Sequence, residues 1–256
     1  MTSTLDIDGL AQRLDDAETG RTDIPSLAAS VDVGIDDAYA IQAALIARRK
    51  KRGERVIGHK LGFTSKAKMA QMGVSEVIVG RLTDVMRVAD GGDVDLARFI
   101  HPRIEPEVAY RLSRDIDLDD PAADITVCVD AIAPAVEIID SRYRDFVFTY
   151  TDVVADNTSA AGFAIGAWQP MRTAANLAVR LRVGEAEVVG STAAILGDPI
   201  RALYALADMC RRRRIELCAG QIVLAGAATA AVPLTAGVAE CEVAGLGTVT
   251  VKGISR

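Results

Sequence analysis

The most constraining feature of this sequence is a stretch in which apolar and polar side chains alternate. Residues 104–112 read Ile-Glu-Pro-Glu-Val-Ala-Tyr-Arg-Leu, the period-two pattern of a β-strand with two different faces. Pro106 argues against a helix interior, because proline lacks an N–H and its ring clashes with the preceding turn. Residues two apart on a strand point the same way, so Glu105 and Glu107 are predicted to share one face.

A third glutamate occupies an apolar setting in which a free carboxylate is costly. Glu137 lies in Ala-Pro-Ala-Val-Glu-Ile-Ile, which ends in a predicted buried strand at residues 135–139. A buried carboxylate needs a partner, because moving an unpaired charge out of water is expensive. Arg103 and Arg142 flank the glutamates and could neutralise them. The alternative partner is a divalent cation with hard oxygen ligands, Mg²⁺ or Mn²⁺.

A lysine between two glycines is the next candidate. The segment Gly58-His-Lys-Leu-Gly-Phe-Thr-Ser65 places Lys60 ahead of two hydroxyl groups, those of Thr64 and Ser65. Glycine lets a backbone approach a ligand closely. The simpler alternative is that Lys60 is a surface residue on a strand, and the segment alone favours that alternative.

A polar cluster precedes an apolar stretch at residues 152–159. It reads Asp-Val-Val-Ala-Asp-Asn-Thr-Ser, and Asp156 and Asn157 could cap a helix or shape a turn. They could also orient a metal-bound water or a substrate carboxylate. Periodicity leaves both interpretations open.

Composition and charge argue against several classes of protein. The 256-residue chain is half apolar and has a net charge of −6, which disfavours a general nucleic-acid binder. No apolar run is long enough to cross a membrane, and residues 1–9 lack the basic start and apolar middle of a signal peptide. The four cysteines contain no C-x-x-C pair and the chain has two histidines, which disfavours a zinc site or a disulfide framework. We therefore expect a cytoplasmic protein with reduced cysteines.

Two helices have clear boundary signals. Asp36-Asp37 begins a helix that ends at basic residues and Gly53, and Asp198-Pro199 begins another. The run Arg211–Arg214 falls at the end of the second helix, where cations favour the helix dipole, so a phosphate or nucleic-acid site there is the weaker interpretation. No phosphate loop, dinucleotide fingerprint or nucleophile elbow is present.

The remaining periodic segments mix extended and helical patterns. Residues 56–63 are predicted to be extended and residues 66–73 to form a short helix. Residues 125–140 are a helix or strand that runs into the buried strand, with Pro134 as an interruption. Residues 221–253 are short apolar runs broken by glycines, which predicts several strands that close a sheet or barrel.

Taken together, several segments in a fixed order resemble one enzyme family. It is the 2-oxopent-4-enoate hydratase and 2-oxo-3-hexenedioate (4-oxalocrotonate) decarboxylase family, within the fumarylacetoacetate hydrolase superfamily. The resemblance extends from Asp37 to the end of the chain, with two departures. Phe63 stands where the family usually has leucine, and Asn-Thr-Ser-Ala at 157–160 replaces a frequent Asn-Ala-Ser-Ser. The matching segments are Gly58–Ser65, Pro102–Ala109, Pro134–Arg142, Val154–Asn157, Ala194–Pro199 and Gly220–Gly226.

The resemblance implies a fold and a set of site residues. The fold is α+β, a curved mixed β-roll with short helices around it, forming a single catalytic domain over residues 1–256. Residues 1–75 are its helical N-terminal part, including the Lys60 strand, and residues 76–256 are the β-roll core. The implied metal, Mg²⁺ or Mn²⁺, lies on Glu105, Glu107 and Glu137. The implied catalytic groups are Lys60 and Asp156, and the implied substrate contacts are Thr64, Ser65, Arg142, Asn157 and Ser159.

The resemblance also implies a reaction, with alternatives. Residues 68–74 and 140–146 look more like the decarboxylases, so the expected activity is metal-dependent decarboxylation of 2-oxo-3-hexenedioate to 2-hydroxypenta-2,4-dienoate and CO₂ in aromatic meta-cleavage catabolism. The runner-up is a hydratase that converts the dienoate to a 4-hydroxy-2-oxo acid. A third interpretation is a non-catalytic assembly subunit. A homo-oligomer is expected, a complex with a partner hydratase or decarboxylase stays open, and neither nucleic acid nor membrane is an expected partner.

Overall fold

The computed structural model describes residues 5–65, 69–70 and 73–255. Most of the short helix predicted over residues 66–73 lies outside them. The helices are α1 (Ile7–Gly20), α2 (Ile35–Lys51), α3 (Tyr150–Ala155) and α4 (Ile200–Arg213). The strands are β1 (Val56–Gly62), β2 (Ile78–Thr83), β3 (Arg87–Val88), β4 (Gly92–Asp95), β5 (Arg103–Leu112), β6 (Val129–Ile139), β7 (Ala160–Ile165), β8 (Gln169–Pro170), β9 (Ala178–Val183), β10 (Ala186–Ser191), β11 (Ile222–Ala227), β12 (Val232–Pro233), β13 (Gly237–Val243) and β14 (Gly247–Ile254).

Two mixed sheets form the body of the protein. The larger has the strand order β2-β1-β11-β5-β6-β7-β3, with β12 added to β5 and β8 added to β6. The smaller has the order β10-β9-β13-β14-β4. Strands β13 and β14 pack against β6, while α1 packs on α2 and α4 packs on β11. This arrangement confirms the predicted α+β roll with helices around it. Strand β1, which carries Lys60, lies within the larger sheet, between β2 and β11.

Both prolines in the central strands lie where the pairing with a neighbouring strand is interrupted, either by a change of partner strand or by a shift of register. Pro134 follows the residues of β6 that pair with β8 and precedes those that pair with β7. Pro106 lies beside the irregular stretch between Leu224 and Ala227, where the pairing of β11 shifts. Proline has no N–H to give to a ladder, so gaps in the pairing accommodate it. The sequence interpretation that Pro134 interrupts the structure is therefore wrong, and β6 runs unbroken from Val129.

The predicted helix ends are confirmed. Helix α2 carries Asp36 and Asp37 in its first turn and four basic residues in its last, which suits the helix dipole. In α4, the carboxylate of Asp198 accepts from Ile200 N at 3.1 Å. The basic run that ends α4 is used within the fold, since Arg212 pairs with Glu76 at 3.1 Å. Arg211 Nε donates a hydrogen bond to the carbonyl oxygen of Leu118, and the guanidinium of Arg213 stacks over the ring of Tyr39.

The remaining sequence expectations concern cysteines and membranes. Cys128, Cys210 and Cys241 are buried, Cys218 is partly exposed, and all four are free thiols, as predicted. Among the described residues, no helix combines the length and apolar character that a membrane span requires.

Gly58 lies at a position where the fold has no room for a side chain. It pairs with Ile222 where β1 runs parallel to β11, and a Cβ there would collide with the carbonyl oxygen of Ile222. We expect Gly58→Ala to lower the free energy of unfolding by about 1–3 kcal/mol, the usual cost of overpacking, as measured by urea titration. Gly20→Ala is the matched control, because nothing lies within 4 Å of its Cβ position. Equal stability of the two variants would contradict this account of the β1–β11 contact.

Candidate metal and substrate site

Strand register brings the three predicted glutamates together. Strands β5 and β6 are antiparallel, with Glu105 directly opposite Glu137 and Glu107 opposite Ala135. Directly opposed residues on one face of a sheet have adjacent side chains. One carboxylate oxygen from each glutamate lies within 4.8 Å of the others. The predicted convergence of Glu105, Glu107 and Glu137 is therefore present in the structure.

The glutamate cluster is buried and repels itself. Glu107 and Glu137 are 0% exposed, and Glu105 is partly buried. Burial raises the pKa of Glu107 well above its usual range, and the charges of Glu137 and Glu105 raise it further. Burial also raises the pKa of Glu137, although Lys60 opposes that rise. Without positive charge close by, this arrangement of ionised carboxylates is unfavourable.

Lys60 is the positive partner of the cluster. Its Nζ lies 3.0 Å from Oε2 of Glu137 and donates to the carbonyl oxygen of Thr158 at 3.1 Å. Burial alone would lower the pKa of Lys60, but the nearby glutamates outweigh it and raise the pKa. The alternatives of a surface lysine and of neutralisation by Arg142 are both wrong. Lys60 is buried, and Arg142 pairs with Asp156.

The donor set fits a divalent cation. Oε2 of Glu107 accepts from the backbone N–H of Gly226 at 2.7 Å. Oε1 of Glu107 and Oε1 of Glu137 are buried, and no hydrogen-bond partner for either occurs in the described part of the chain. Three carboxylates and one ammonium carry a formal charge of −2, which a dication balances. Hard oxygen ligands with room for water or substrate are the type of site that Mg²⁺ and Mn²⁺ favour.

Thr64 lies against Gly226, the residue whose N–H binds Glu107. It is buried after the end of β1, and its side chain occupies the space that a side chain on Gly226 would need. Gly226 has φ +112°, a conformation that favours glycine. The lack of a side chain therefore lets Thr64 pack beside the N–H that holds Glu107. Ser65 follows at the partly buried edge.

A left-handed turn presents the carbonyl that binds Lys60. Asn157, Thr158 and Ser159 have φ values of 47°, 54° and 60°, a conformation that costs energy for residues other than glycine. Gly80 lies opposite Lys60 in the β1–β2 pairing, and a Cβ there would collide with Thr158. The glycine opens the space in which the turn reaches Lys60. The hydroxyl groups of Thr158 and Ser159 are buried, with no hydrogen-bond partner among the described residues.

Asn157 holds the turn to the sheet. Its Oδ1 accepts from Arg81 N at 2.8 Å and its Nδ2 donates to Arg81 O at 2.9 Å. Both ends of the amide are thus used by the backbone of β2. Of the two roles considered for Asn157, shaping a turn is the one that these contacts serve.

Arg142 and Asp156 form a buried ion pair behind the turn. Both side chains are at most 1% exposed, and Arg142 Nε pairs with Oδ1 of Asp156. The backbone N–H of Arg142 donates to Oδ2 at 3.1 Å, and Nη2 donates to the carbonyl oxygen of Asp156 at 2.5 Å. Burial raises the pKa of Asp156, and Arg142 opposes that rise. Arg142 binds both the carboxylate and the carbonyl oxygen of Asp156, the residue that precedes the turn. These contacts therefore hold the start of the turn in place.

Sequence reasoning missed two residues of the site. Thr158 holds Lys60 through its carbonyl oxygen, and Gly226 holds Glu107 through its N–H. Both contacts are made by backbone atoms, so side-chain chemistry gave no signal for them. Gly226 belongs to a segment that matched the family pattern, which was the available clue.

The self-repulsion of the cluster leads to a test of the metal site. We expect Glu107→Gln to raise the free energy of unfolding in EDTA by about 1–3 kcal/mol, because it removes one charge from a buried set of like charges. We expect Mg²⁺ to stabilise the wild type and not the variant, since a ligand stabilises the state that binds it. Urea unfolding with EDTA and with Mg²⁺ measures both effects.

Glu242→Gln is the matched control, because Glu242 forms an exposed pair with Arg180 and should affect neither measurement by more than about 1 kcal/mol. The metal-site assignment would be contradicted if Glu107→Gln were less stable than the wild type in EDTA and Mg²⁺ did not change the stability of the wild type.

The buried Arg142–Asp156 pair leads to a second test. We expect Asp156→Asn to lower the free energy of unfolding by about 3–5 kcal/mol, because it leaves a buried guanidinium unpaired. Asp23→Asn, which breaks the exposed pair with Arg144, should cost less than about 1 kcal/mol. An Asp156→Asn protein with wild-type stability and no activity would instead make Asp156 a group that acts on substrate.

Known proteins resemble this chain over nearly its full length. A 4-oxalocrotonate decarboxylase from a Pseudomonas species is 48% identical over 247 residues, covering 95% of this chain and 96% of that protein. A 2-keto-4-pentenoate hydratase from Paraburkholderia xenovorans is 36% identical, covering 85% and 83%. No family model matches the chain.

Solved structures agree with these relatives. The 4-oxalocrotonate decarboxylase from Pseudomonas putida G7, complexed with magnesium and adipate, superposes with a TM-score of 0.91 at 34% identity over 99% of this chain and 100% of that one. Fumarylpyruvate hydrolase from Pseudomonas aeruginosa shares the fold at 16% identity, with a TM-score of 0.59 over 77% of this chain and 89% of that one. The chain therefore belongs to the family of 4-oxalocrotonate decarboxylases and 2-keto-4-pentenoate hydratases and has the fold of the fumarylacetoacetate hydrolase superfamily.

Proposed function

We propose that this protein decarboxylates 2-oxo-3-hexenedioate to 2-hydroxypenta-2,4-dienoate and CO₂. The observation that carries the proposal is the cluster of three glutamates, of which Glu107 and Glu137 are fully buried, beside the buried Lys60. It occurs in a chain that is 48% identical to a protein named as 4-oxalocrotonate decarboxylase. An assembly subunit without activity would have no need for a charged cluster that is costly to bury.

Glu105, Glu107 and Glu137 would hold the divalent cation, for which Mg²⁺ is the first candidate. The related decarboxylase from Pseudomonas putida G7 is complexed with magnesium. When bound, the cation would act as a Lewis acid toward the 2-oxo group of the substrate. The hydrogen bond from Gly226 N to Glu107 fixes the orientation of one ligand, and Lys60 fixes that of Glu137.

The proposed reaction needs a place for charge and a source of one proton. The bond between C5 and C6 breaks, CO₂ leaves, and the electron pair moves through the conjugated chain to the oxygen on C2, which takes up a proton. Lys60 is the buried ammonium beside the cluster, so it adds positive charge where the oxygen becomes negative. Such fixed charge acts strongly where water is excluded, and Glu107 and Glu137 are fully buried.

The roles of the surrounding polar residues follow from their contacts. Thr64 and Ser65, at the end of β1, and Ser159, with its buried hydroxyl, are proposed substrate contacts. Asn157, Arg142 and Asp156 are proposed to act as positioning residues, because their side chains bind one another or the backbone of β2. In this proposal Lys60 keeps its catalytic role and Asp156 supports it through the turn.

The wider setting is also a proposal. We place the protein in the cytoplasm as a homo-oligomer, acting in aromatic meta-cleavage catabolism. We take residues 1–256 as one catalytic domain, because the Lys60 strand pairs with strands from the C-terminal half. Hydration of 2-hydroxypenta-2,4-dienoate is the alternative function, because the chain is also similar to proteins named as hydratases.

A direct assay separates the two activities. We expect the wild type with Mg²⁺ to release CO₂ from 2-oxo-3-hexenedioate and to leave 2-hydroxypenta-2,4-dienoate unchanged, as followed by ultraviolet absorbance and CO₂ detection. Glu107→Gln should lose the activity, because a metal ligand is gone, and Glu242→Gln should keep it.

Consumption of the dienoate without CO₂ release from the dioate would move the protein to the hydratases. Full activity of Glu107→Gln in EDTA would refute the proposed site for either reaction.

A further inference from the structure

A surface cavity opens at the start of β5, the strand that carries Glu105 and Glu107. Its volume is about 500 Å³, and it is lined by residues 101–103, 145–146 and 233–234. The first of these segments leads directly into β5, and the last includes the end of β12, where Pro233 pairs with Arg103. The cavity therefore begins at the end of the strand that carries Glu105 and Glu107.

Arg103 lies on the same sheet face as the glutamates. It is two residues before Glu105 on β5, and residues two apart point the same way. It is opposite Ile139 on β6, as Glu105 is opposite Glu137. Arg103 thus occupies the next position along the same face, about 6.6 Å farther along the strand.

The guanidinium of Arg103 is held over an aromatic ring. Its carbon lies 4.6 Å from the ring centroid of Phe146, and the residue is exposed. The ring of His101 lies 4.7 Å from that of Phe146, and His101 Nε2 donates to the carbonyl oxygen of Ser141 at 2.7 Å. Stacking orders a guanidinium and leaves its N–H edge available.

We propose that Arg103 binds the far carboxylate of a six-carbon oxo-dioate whose other end lies at the glutamate cluster. The inference rests on the proposed function and names its substrate class. The terminal carbons of such a chain are about 6 Å apart, from five C–C bonds of about 1.5 Å in a zigzag. The backbone positions of Arg103 and Glu105 are about 6.6 Å apart along β5, so a chain of this length is of the size needed to run along the strand from one residue to the other. A guanidinium pairs with a carboxylate through two parallel hydrogen bonds. Asp145 also lines the cavity. Asp145 and Arg103 are both exposed, so water screens both charges, and the two-pronged hydrogen bonding of the guanidinium is what favours a carboxylate at Arg103.

Arg103 in this position is a specificity residue. The far carboxylate leaves as neutral CO₂, so its contact with Arg103 is stronger in the bound substrate than in the transition state. An interaction of that kind lowers KM and does not raise kcat. Loss of the guanidinium should therefore raise KM for the dioate and leave kcat unchanged or higher.

Binding of two unreactive oxo acids tests the inference without turnover. Calorimetric titration with Mg²⁺ compares 2-oxohexanedioate with 2-oxohexanoate, which has the same length and no far carboxylate. We expect wild type to bind the dioate more tightly. Arg103→Gln should lower the affinity for the dioate by between about 10-fold and about 100-fold, the range for losing a hydrogen bond to a charged group. The affinity for the monoacid should change by no more than about twofold. Arg103→Lys keeps the charge without the two-pronged geometry, so it should lose less.

Arg98→Gln is the matched control, because Arg98 is exposed and lies outside the cavity, and thermal unfolding checks that each variant folds. Equal affinity of the wild type for the two acids, or an Arg103→Gln variant that binds the dioate as the wild type does, would overturn the inference even if the decarboxylase assay succeeds. Failure of the wild type to bind either acid with Mg²⁺ would overturn the proposed function itself.

Discussion

Burial of three like charges beside one another is the constraint on which the rest of this structure depends. Glu107 and Glu137 have no contact with water, and one oxygen of each glutamate lies within 4.8 Å of the others. Such a cluster is stabilised when positive charge is supplied to it, and otherwise its carboxylates bind protons more readily. Lys60 supplies one charge from β1, and the remaining formal charge of −2 calls for a dication. A dication held by the cluster would therefore stabilise the fold as well as serve the proposed reaction.

The position of Lys60 requires support from several directions. Its ammonium reaches both Glu137 and the carbonyl oxygen of Thr158, and that carbonyl is presented by a turn in a costly left-handed conformation. Such a turn persists only where its surroundings determine it. The amide of Asn157 ties it to β2 from one side, and the Arg142–Asp156 pair fixes its start from the other. Strain in the turn is thus offset by the contacts of Asn157 with β2 and by the Arg142–Asp156 pair.

The sequence predicted the parts of the site that follow from periodicity and composition. Alternation placed Glu105 and Glu107 on one face, and the apolar setting of Glu137 indicated that it needed a partner. The identity of that partner was not predictable from spacing, because Lys60 and Glu137 meet only through the order of strands in the sheet. For the same reason Arg142 was assigned to the glutamates or to substrate, whereas its long-range partner is Asp156. Pro134 was taken as an interruption because the gap between β7 and β8 that accommodates it is a tertiary feature.

The glutamate cluster and the proposed far end of the site differ in burial, and this difference offers a reason why one family includes proteins named as decarboxylases and as hydratases. At the cluster, an error in charge is costly because Glu107, Glu137 and Lys60 are buried, so this end tolerates little change. At the cavity, Arg103 is exposed over Phe146, so a substitution there should cost the fold little and, if Arg103 binds the second carboxylate as proposed, should change the affinity for it. A dioate and a dienoate share the oxo-acid end and differ at the far end. Selection between the two reactions can therefore act on the exposed end while the buried charges stay fixed.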